Sequence, residues 1–200
     1  PIFGTNGTLT YDVGGSIDNI RFVGKQSTGK YIAGGFSRII GSLFHNSISL
    51  FRYNPDGTFD STSNFGSGTK VINSIGNGDS GIVEATVLPD DSILALVLAQ
   101  NGGLPVYLYI AKFTPNGNLD PTFGRVGFIN LGLWGNNIAF TADYSLKVLP
   151  NGKILIAGYQ NNGTGSYNLA VARLNPNGSY DATFGNGGVY IEPTFTTPLD

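Results

Sequence analysis

Several short strings in this chain have the residue types of catalytic or ligand-binding loops. Gly24-Lys25-Gln26-Ser27-Thr28-Gly29-Lys30 has the glycine and lysine spacing of a phosphate-binding loop. That chemistry needs a hydroxyl after the lysine to hold Mg²⁺, and a following helix whose N-terminal amides bind phosphate. Here the next residue is Tyr31, and the string is expected to join two strands. Gly78-Asp79-Ser80-Gly81 reads like a serine-nucleophile string, and its last three residues like half an aspartic protease dyad. The first needs a histidine base oriented by a carboxylate; the one histidine, His45, sits in a Leu-Phe-His-Asn-Ser loop without that context. The second needs a paired carboxylate string, which the sequence lacks. One histidine and no cysteine make a poor zinc set. Asp56 with Asp60, and Asp90 with Asp91, do not complete the acidic spacing of a calcium loop. Turn stabilisation by Asx-type hydrogen bonds explains them better. The expectation is a protein that is not an enzyme, with no catalytic residues, metal or cofactor.

Two features remain. Trp134, in Leu133-Trp134-Gly135, has no counterpart in the corresponding loops, so it is a candidate stacking platform for a sugar or peptide, against a plain packing role. Arg52 and Asp60, Lys112 and Asp120, and Arg173 and Asp181 are each eight residues apart. Antiparallel pairing across the intervening turn would set each cation opposite or diagonal to its carboxylate, as a structural pair in each unit.

The elements that position these groups recur. Asn54-Pro55-Asp56-Gly57, Thr114-Pro115-Asn116-Gly117 and Asn175-Pro176-Asn177-Gly178 place their prolines 60 and then 61 residues apart. Phe-Gly recurs at Phe3, Phe65, Phe123 and Phe184. A period of this length marks one supersecondary unit stacked on copies of itself. The repeats are read as approximately 3–64, 65–122 and 123–183, with 184–200 beginning a fourth.

Each unit is expected to hold four strands. The first spans 17–24, 81–88 and 143–149; the second 31–36, 93–99 and 154–159; the third 48–53, 107–113 and 168–174. The Pro-Asp/Asn-Gly string suits a turn closed by a left-handed glycine. The fourth strand spans 69–75, 127–131 and 188–192, with 8–13 as an extra copy, thirteen strands in all. Leu169-Ala170-Val171-Ala172 and Ile154-Leu155-Ile156-Ala157 are apolar on both faces. A sandwich strand with one wet face would alternate, whereas a propeller blade is covered on both sides. The fold class is therefore all-β, built of propeller blades; a parallel β-helix has a shorter repeat and no such hairpins.

The pattern Leu149-Pro150-Asn151-Gly152-Lys153-Ile154-Leu155-Ile156-Ala157-Gly158-Tyr159, with 169–185, resembles the delta-60 repeat, a β-propeller-type repeat found in tandem in secreted and surface proteins. The second repeat (110–124) is close; the first departs, with Gln26-Ser27-Thr28-Gly29 in place of Pro-Asn/Asp-Gly and two extra residues between Asp60 and Phe65. The resemblance implies a fold and brings no catalytic residues or cofactor.

Composition is consistent with this reading. Thirty glycines and ten prolines among 200 residues fit short strands and tight turns. A net charge of −2 argues against nucleic acid, and no apolar run approaches the roughly 20 residues of a membrane-spanning helix. The missing Met and the start at Pro1 point to a processed or excised chain. Low charge and Asn/Gly/Ser/Thr-rich turns point to an extracellular or particle-surface setting. Asn6, Asn162 and Asn177 stand in glycosylation sequons that are also Asn-Gly turns. The expected function is binding, adhesion or scaffolding, with a lectin-like propeller and a propeller hydrolase or lyase as alternatives. Three blades cannot close a ring, so the expected partner is itself, as an oligomer or fibre, or further blades, with a protein or glycan surface ligand in addition.

Overall fold

The computed structural model describes residues 3–10, 15–39, 46–62, 65, 69–72, 75–101, 106–124, 126–132, 144–161 and 167–192. Among these are twelve strands: β1 (Gly15–Lys25), β2 (Tyr31–Ile39), β3 (Asn46–Tyr53), β4 (Thr69–Ile72), β5 (Ser80–Val87), β6 (Ile93–Gln100), β7 (Val106–Phe113), β8 (Phe128–Asn130), β9 (Ser145–Val148), β10 (Ile154–Asn161), β11 (Tyr167–Leu174) and β12 (Val189–Ile191). They form three four-stranded antiparallel sheets, each in chain order, which we call blades 1 to 3.

The chain turns where the sequence allows positive φ. Gly57, Gly117 and Gly178 have φ of 85°, 73° and 86° after the prolines. At the first hairpin of each blade the left-handed residue is Gly29, Asp91 or Gly152. Asp91 is the exception to glycine there, a conformation that Asp tolerates better than most.

Strand pairing defines the two ends of the stack. β12, within the fourth strand expected at 188–192, pairs with β11 and completes blade 3. The extra strand expected at 8–13 is absent over its described residues, 8–10. Thr8 makes only an isolated bridge to Thr5, across Asn6 and Gly7 at positive φ, and 11–13 lie outside the described residues. Residues 3–8 instead repeat the form of 184–189, where Asn186 bridges Val189; Gly4 and Gly185 have nearly equal φ, 54° and 53°.

Two apolar layers hold the stack. In β6, Ile93, Ala95, Val97 and Ala99 pack toward Ile32, Ile48 and Leu50 of blade 1. The alternate residues Leu94, Leu96 and Leu98 join Leu108 and Ile110 against Ile154, Ile156, Ala170 and Ala172 of blade 3. Both faces of blade 2 are therefore buried, each large side chain contributing about 1.5–3 kcal/mol.

Candidate functional site

The charged pairs lie at the hairpin end of each blade. Arg52 sits opposite Ile32, at the end of β3. Asn54 and Gly57 close the following turn, and the Asp60 amide donates back to the Arg52 carbonyl at 3.0 Å. The turn thus carries Asp60 to its cation. Arg52 Nε donates to Asp60 Oδ2 at 2.6 Å, Lys30 Nζ donates to the same oxygen at 2.8 Å, and Thr62 donates both its amide and its hydroxyl to Oδ1. The Arg52 guanidinium lies over the Phe65 ring, 4.4 Å from its centroid.

Blade 3 repeats the knot. Arg173 Nε and Lys153 Nζ each reach Asp181 Oδ2 at 2.6 Å, Thr183 caps Oδ1, and the guanidinium lies 4.7 Å from the Phe184 centroid. Blade 2 has a weaker version. Lys112 Nζ stands 3.4 Å from Asp120 and 3.5 Å from Asp90, and Ser92 holds the position of the second lysine. All three pairs, Arg52–Asp60, Lys112–Asp120 and Arg173–Asp181, are made. Sequence reading missed Lys30, Lys153 and the capping Thr62, Thr122 and Thr183. The signal was present in the turn lysines and in a threonine two residues after each Asp.

The other motifs are absorbed into turns and interfaces. The string 24–30 is a hairpin turn in which Gln26 N donates to Lys30 O and Gly29 N to Gln26 O. Ser80 is buried at the start of β5, and Asp79 Oδ1 accepts the amide of Asn46 at 2.6 Å. Asp56 Oδ1 accepts the amide and hydroxyl of Thr58, and Asp90 those of Ser92. His45, Trp134 and Asn162 lie outside the described residues. Among the described residues no group of three or more His, Cys, Asp and Glu side chains could hold a metal ion.

Between blades 1 and 2 the turns are tied together. Gln26, itself buried, donates through Nε2 to the carbonyls of Asp91 and Pro115, both at 3.0 Å. Arg52 Nη1 donates to the Pro115 carbonyl and to Asn116 Oδ1. Ser27 gives its amide and hydroxyl to the Asp91 carboxylate at 2.6 Å each, anchoring that residue in its left-handed conformation.

These carboxylates are held ionised. Burial by itself would raise the pKa of Asp60, but hydrogen bonds from Lys30, Thr62 and Arg52 outweigh it and hold the carboxyl well below the usual range. Lys153 is the largest influence on Asp181, followed by Thr183, with the same result. Because both folded values lie below the unfolded one, the unfolded chain binds more protons in acid. Their stabilisation is complete above the unfolded carboxylate pKa of about 3.9 and is lost as pH falls below it. Urea midpoints are expected to be level from pH 8 to 5 and to drop below about pH 4. The double variant Asp60→Asn/Asp181→Asn should flatten that acid limb; an unchanged limb would contradict the assignment.

The family described as "Domain of unknown function (DUF5122) beta-propeller" matches residues 26–62, 88–123 and 149–184, one segment in each blade. No curated protein matches the chain.

Proposed function

The chain belongs to the DUF5122 β-propeller family, and from that premise we propose that it is a non-enzymatic scaffolding module whose blade 3 receives a further repeat of the same kind. We read its units as delta-60 repeats, on the strings at 110–124 and 149–185, and its setting as extracellular or on a particle surface.

One contrast carries the reading. In blade 2, β6 is buried along both faces, whereas β10 and β11 alternate: Ile154, Ile156, Ala170 and Ala172 are buried, while Ala157, Tyr159, Leu169 and Val171 are not. Leu169 is 71% exposed, although its counterpart Leu108 in blade 2 is fully buried against blade 3. The exposed face lines an open apolar hollow of about 500 Å³ with Tyr144. Scattered exposed leucines are ordinary, but a contiguous apolar face marks an interaction surface. The geometry of a partner is already present within the chain, since blade 3 covers the same positions of blade 2.

Residues 3–8 give a second support. A Cβ on Gly178 would press on the Phe123 ring, and one on Gly57 on the Phe3 ring, so the aromatic of a repeat end seats on the next turn in both places. Phe3 therefore occupies on blade 1 the seat that a preceding repeat's phenylalanine would take. On blade 1, Val23 is also 70% exposed beside Ala33. A second copy can supply the further repeat if its own residues 3–8 yield that seat to Phe184. Two copies give six blades, within the usual four to eight.

Deleting residues 1–10 should therefore strengthen self-association at least tenfold, giving a species of about twice the chain mass by sedimentation at micromolar concentration. Adding Leu169→Glu to the deletion should return it to monomer with an unchanged circular dichroism spectrum. A deletion chain that stays monomeric would overturn the proposal.

A further inference from the structure

The two interfaces between blades are built from equivalent positions, and one of them is unfilled. Gln26, Ser27 and Arg52 of blade 1 correspond in strand register to Leu88, Pro89 and Lys112 of blade 2. Their acceptors Asp91 and Pro115 correspond to Gly152 and Pro176 of blade 3. Leu88 and Pro89 have no side-chain donor, and Gly152 has no carboxylate. Lys112 turns instead to Asp90 and Asp120. No described side chain donates to the carbonyls of Gly152 or Pro176. The result is a cleft of about 270 Å³ between blades 2 and 3, bordered by Gly152 and Pro176 and walled by Leu88, Leu94, Phe123 and Ile154.

Three properties of the cleft specify what it takes. First, the positions that accept from Gln26 and Arg52 in the other interface are carbonyls, so the occupant must donate hydrogen bonds. Second, Asp90 and Asp120 stand around one ammonium, leaving one net negative charge at the mouth; hydrogen bonds from Ser92 and Thr122 hold both carboxyls below their ordinary pKa. Third, the Phe65 and Phe184 rings each carry an arginine guanidinium. Phe123, their counterpart, lines the cleft with no cation over it among the described residues. An aromatic face, planar acceptors and carboxylates together match a guanidinium better than an ammonium, whose charge is compact and strongly hydrated.

We propose that the cleft between blades 2 and 3 binds an alkylguanidinium group, with the cation over Phe123, its N–H groups on the Gly152 and Pro176 carbonyls, and its apolar stem against Leu88 and Leu94. The group takes the place that Gln26 and Arg52 fill from within the chain at the other interface. The volume lies just below the about 300–1,000 Å³ of ordinary small-molecule sites, so the cleft suits one side chain or a fragment of that size. A free alkylguanidine and the arginine side chain of a peptide share this chemistry.

The test is a titration of the 200-residue chain with n-butylguanidinium, followed by calorimetry and by the amide shifts of Leu88, Asp90 and Gly152. One equivalent should bind, at least tenfold more tightly than n-butylurea. An Ac-Gly-Arg-Gly-amide arm separates the sources: tighter binding of the peptide points to a protein ligand, and tighter binding of butylguanidinium to a small molecule. Leu88→Gln should fill the cleft from within, as Gln26 does, and weaken binding at least tenfold. Lys112→Arg should do the same and is conservative enough to keep the fold should Leu88→Gln lose it. Binding that is absent, that equals the urea, or that survives in a folded variant unchanged would overturn the proposal.

Discussion

Asp60→Ala is expected to cost about 3–5 kcal/mol of unfolding free energy, while Asp120→Ala at the equivalent position of blade 2 costs no more than about 1 kcal/mol. The two substitutions remove the same carboxylate from the same turn, but the cations they abandon differ. Arg52 and Asp60 have side chains only 7% and 2% exposed. Without Asp60, a buried guanidinium loses its bond at Nε, and Lys30 and Thr62 lose their shared acceptor. Leaving a buried charge without its counter-charge is among the costliest single changes available to a folded protein. Lys112 is more exposed, stands 3.4 Å from Asp120, and keeps Asp90 as a second partner. Urea unfolding of the two variants at pH 7 decides the matter, and equal losses would show that burial is not what strengthens the pair.

Gly35→Ala should be more damaging than ordinary overpacking, which costs about 1–3 kcal/mol, whereas Gly158→Ala, at the same register position of blade 3, should stay within that range. An added Cβ on Gly35 would overlap the backbone carbonyl of Asn19, beside the irregularity between Ile20 and Phe22 in β1. A carbonyl fixed in a ladder cannot move aside without breaking the pairing of β1 with β2. At Gly158 the obstruction is the ring of Tyr144, a side chain that can turn away. Urea midpoints compare the two directly; a Gly35→Ala midpoint equal to that of Gly158→Ala would refute the backbone argument.

The same position in blade 2 is Val97, fully buried without conflict. Nothing in the spacing of the repeats tells glycine from valine there, because the same register shift recurs in β5 between Ile82 and Glu84, and only in blade 1 does the Asn19 carbonyl close on the position. The sequence did carry what depends on period and turn chemistry. Strand centres, left-handed glycines after each proline, and the Arg–Asp pairs across those turns are all set within some ten residues. What it did not carry depends on contacts that reach beyond a single turn, within a blade or between blades. Lys30 reaches Asp60 from the preceding hairpin, and Gln26 reaches Pro115 in the next blade. The string at 8–13 has strand composition, but Thr8 finds its partner in Thr5 across a tight turn rather than in a sheet. Blade 3 is as apolar on its open face as on its packed one, so composition could not tell which was covered.

That blade 2 is covered on both faces has a consequence for how the molecule comes apart. In a linear stack with nearest-neighbour coupling, an end unit can melt by losing one interface, while the middle unit must surrender two. Blades 1 and 3 can therefore detach separately, each leaving the remaining pair intact, but blade 2 has no route to opening that preserves either neighbour. The slowest-exchanging amides then belong to β6 and β7, and unfolding proceeds from the ends inward. Each repeat added to the stack would turn a former end into an interior, so resistance to unravelling grows with the length of the array.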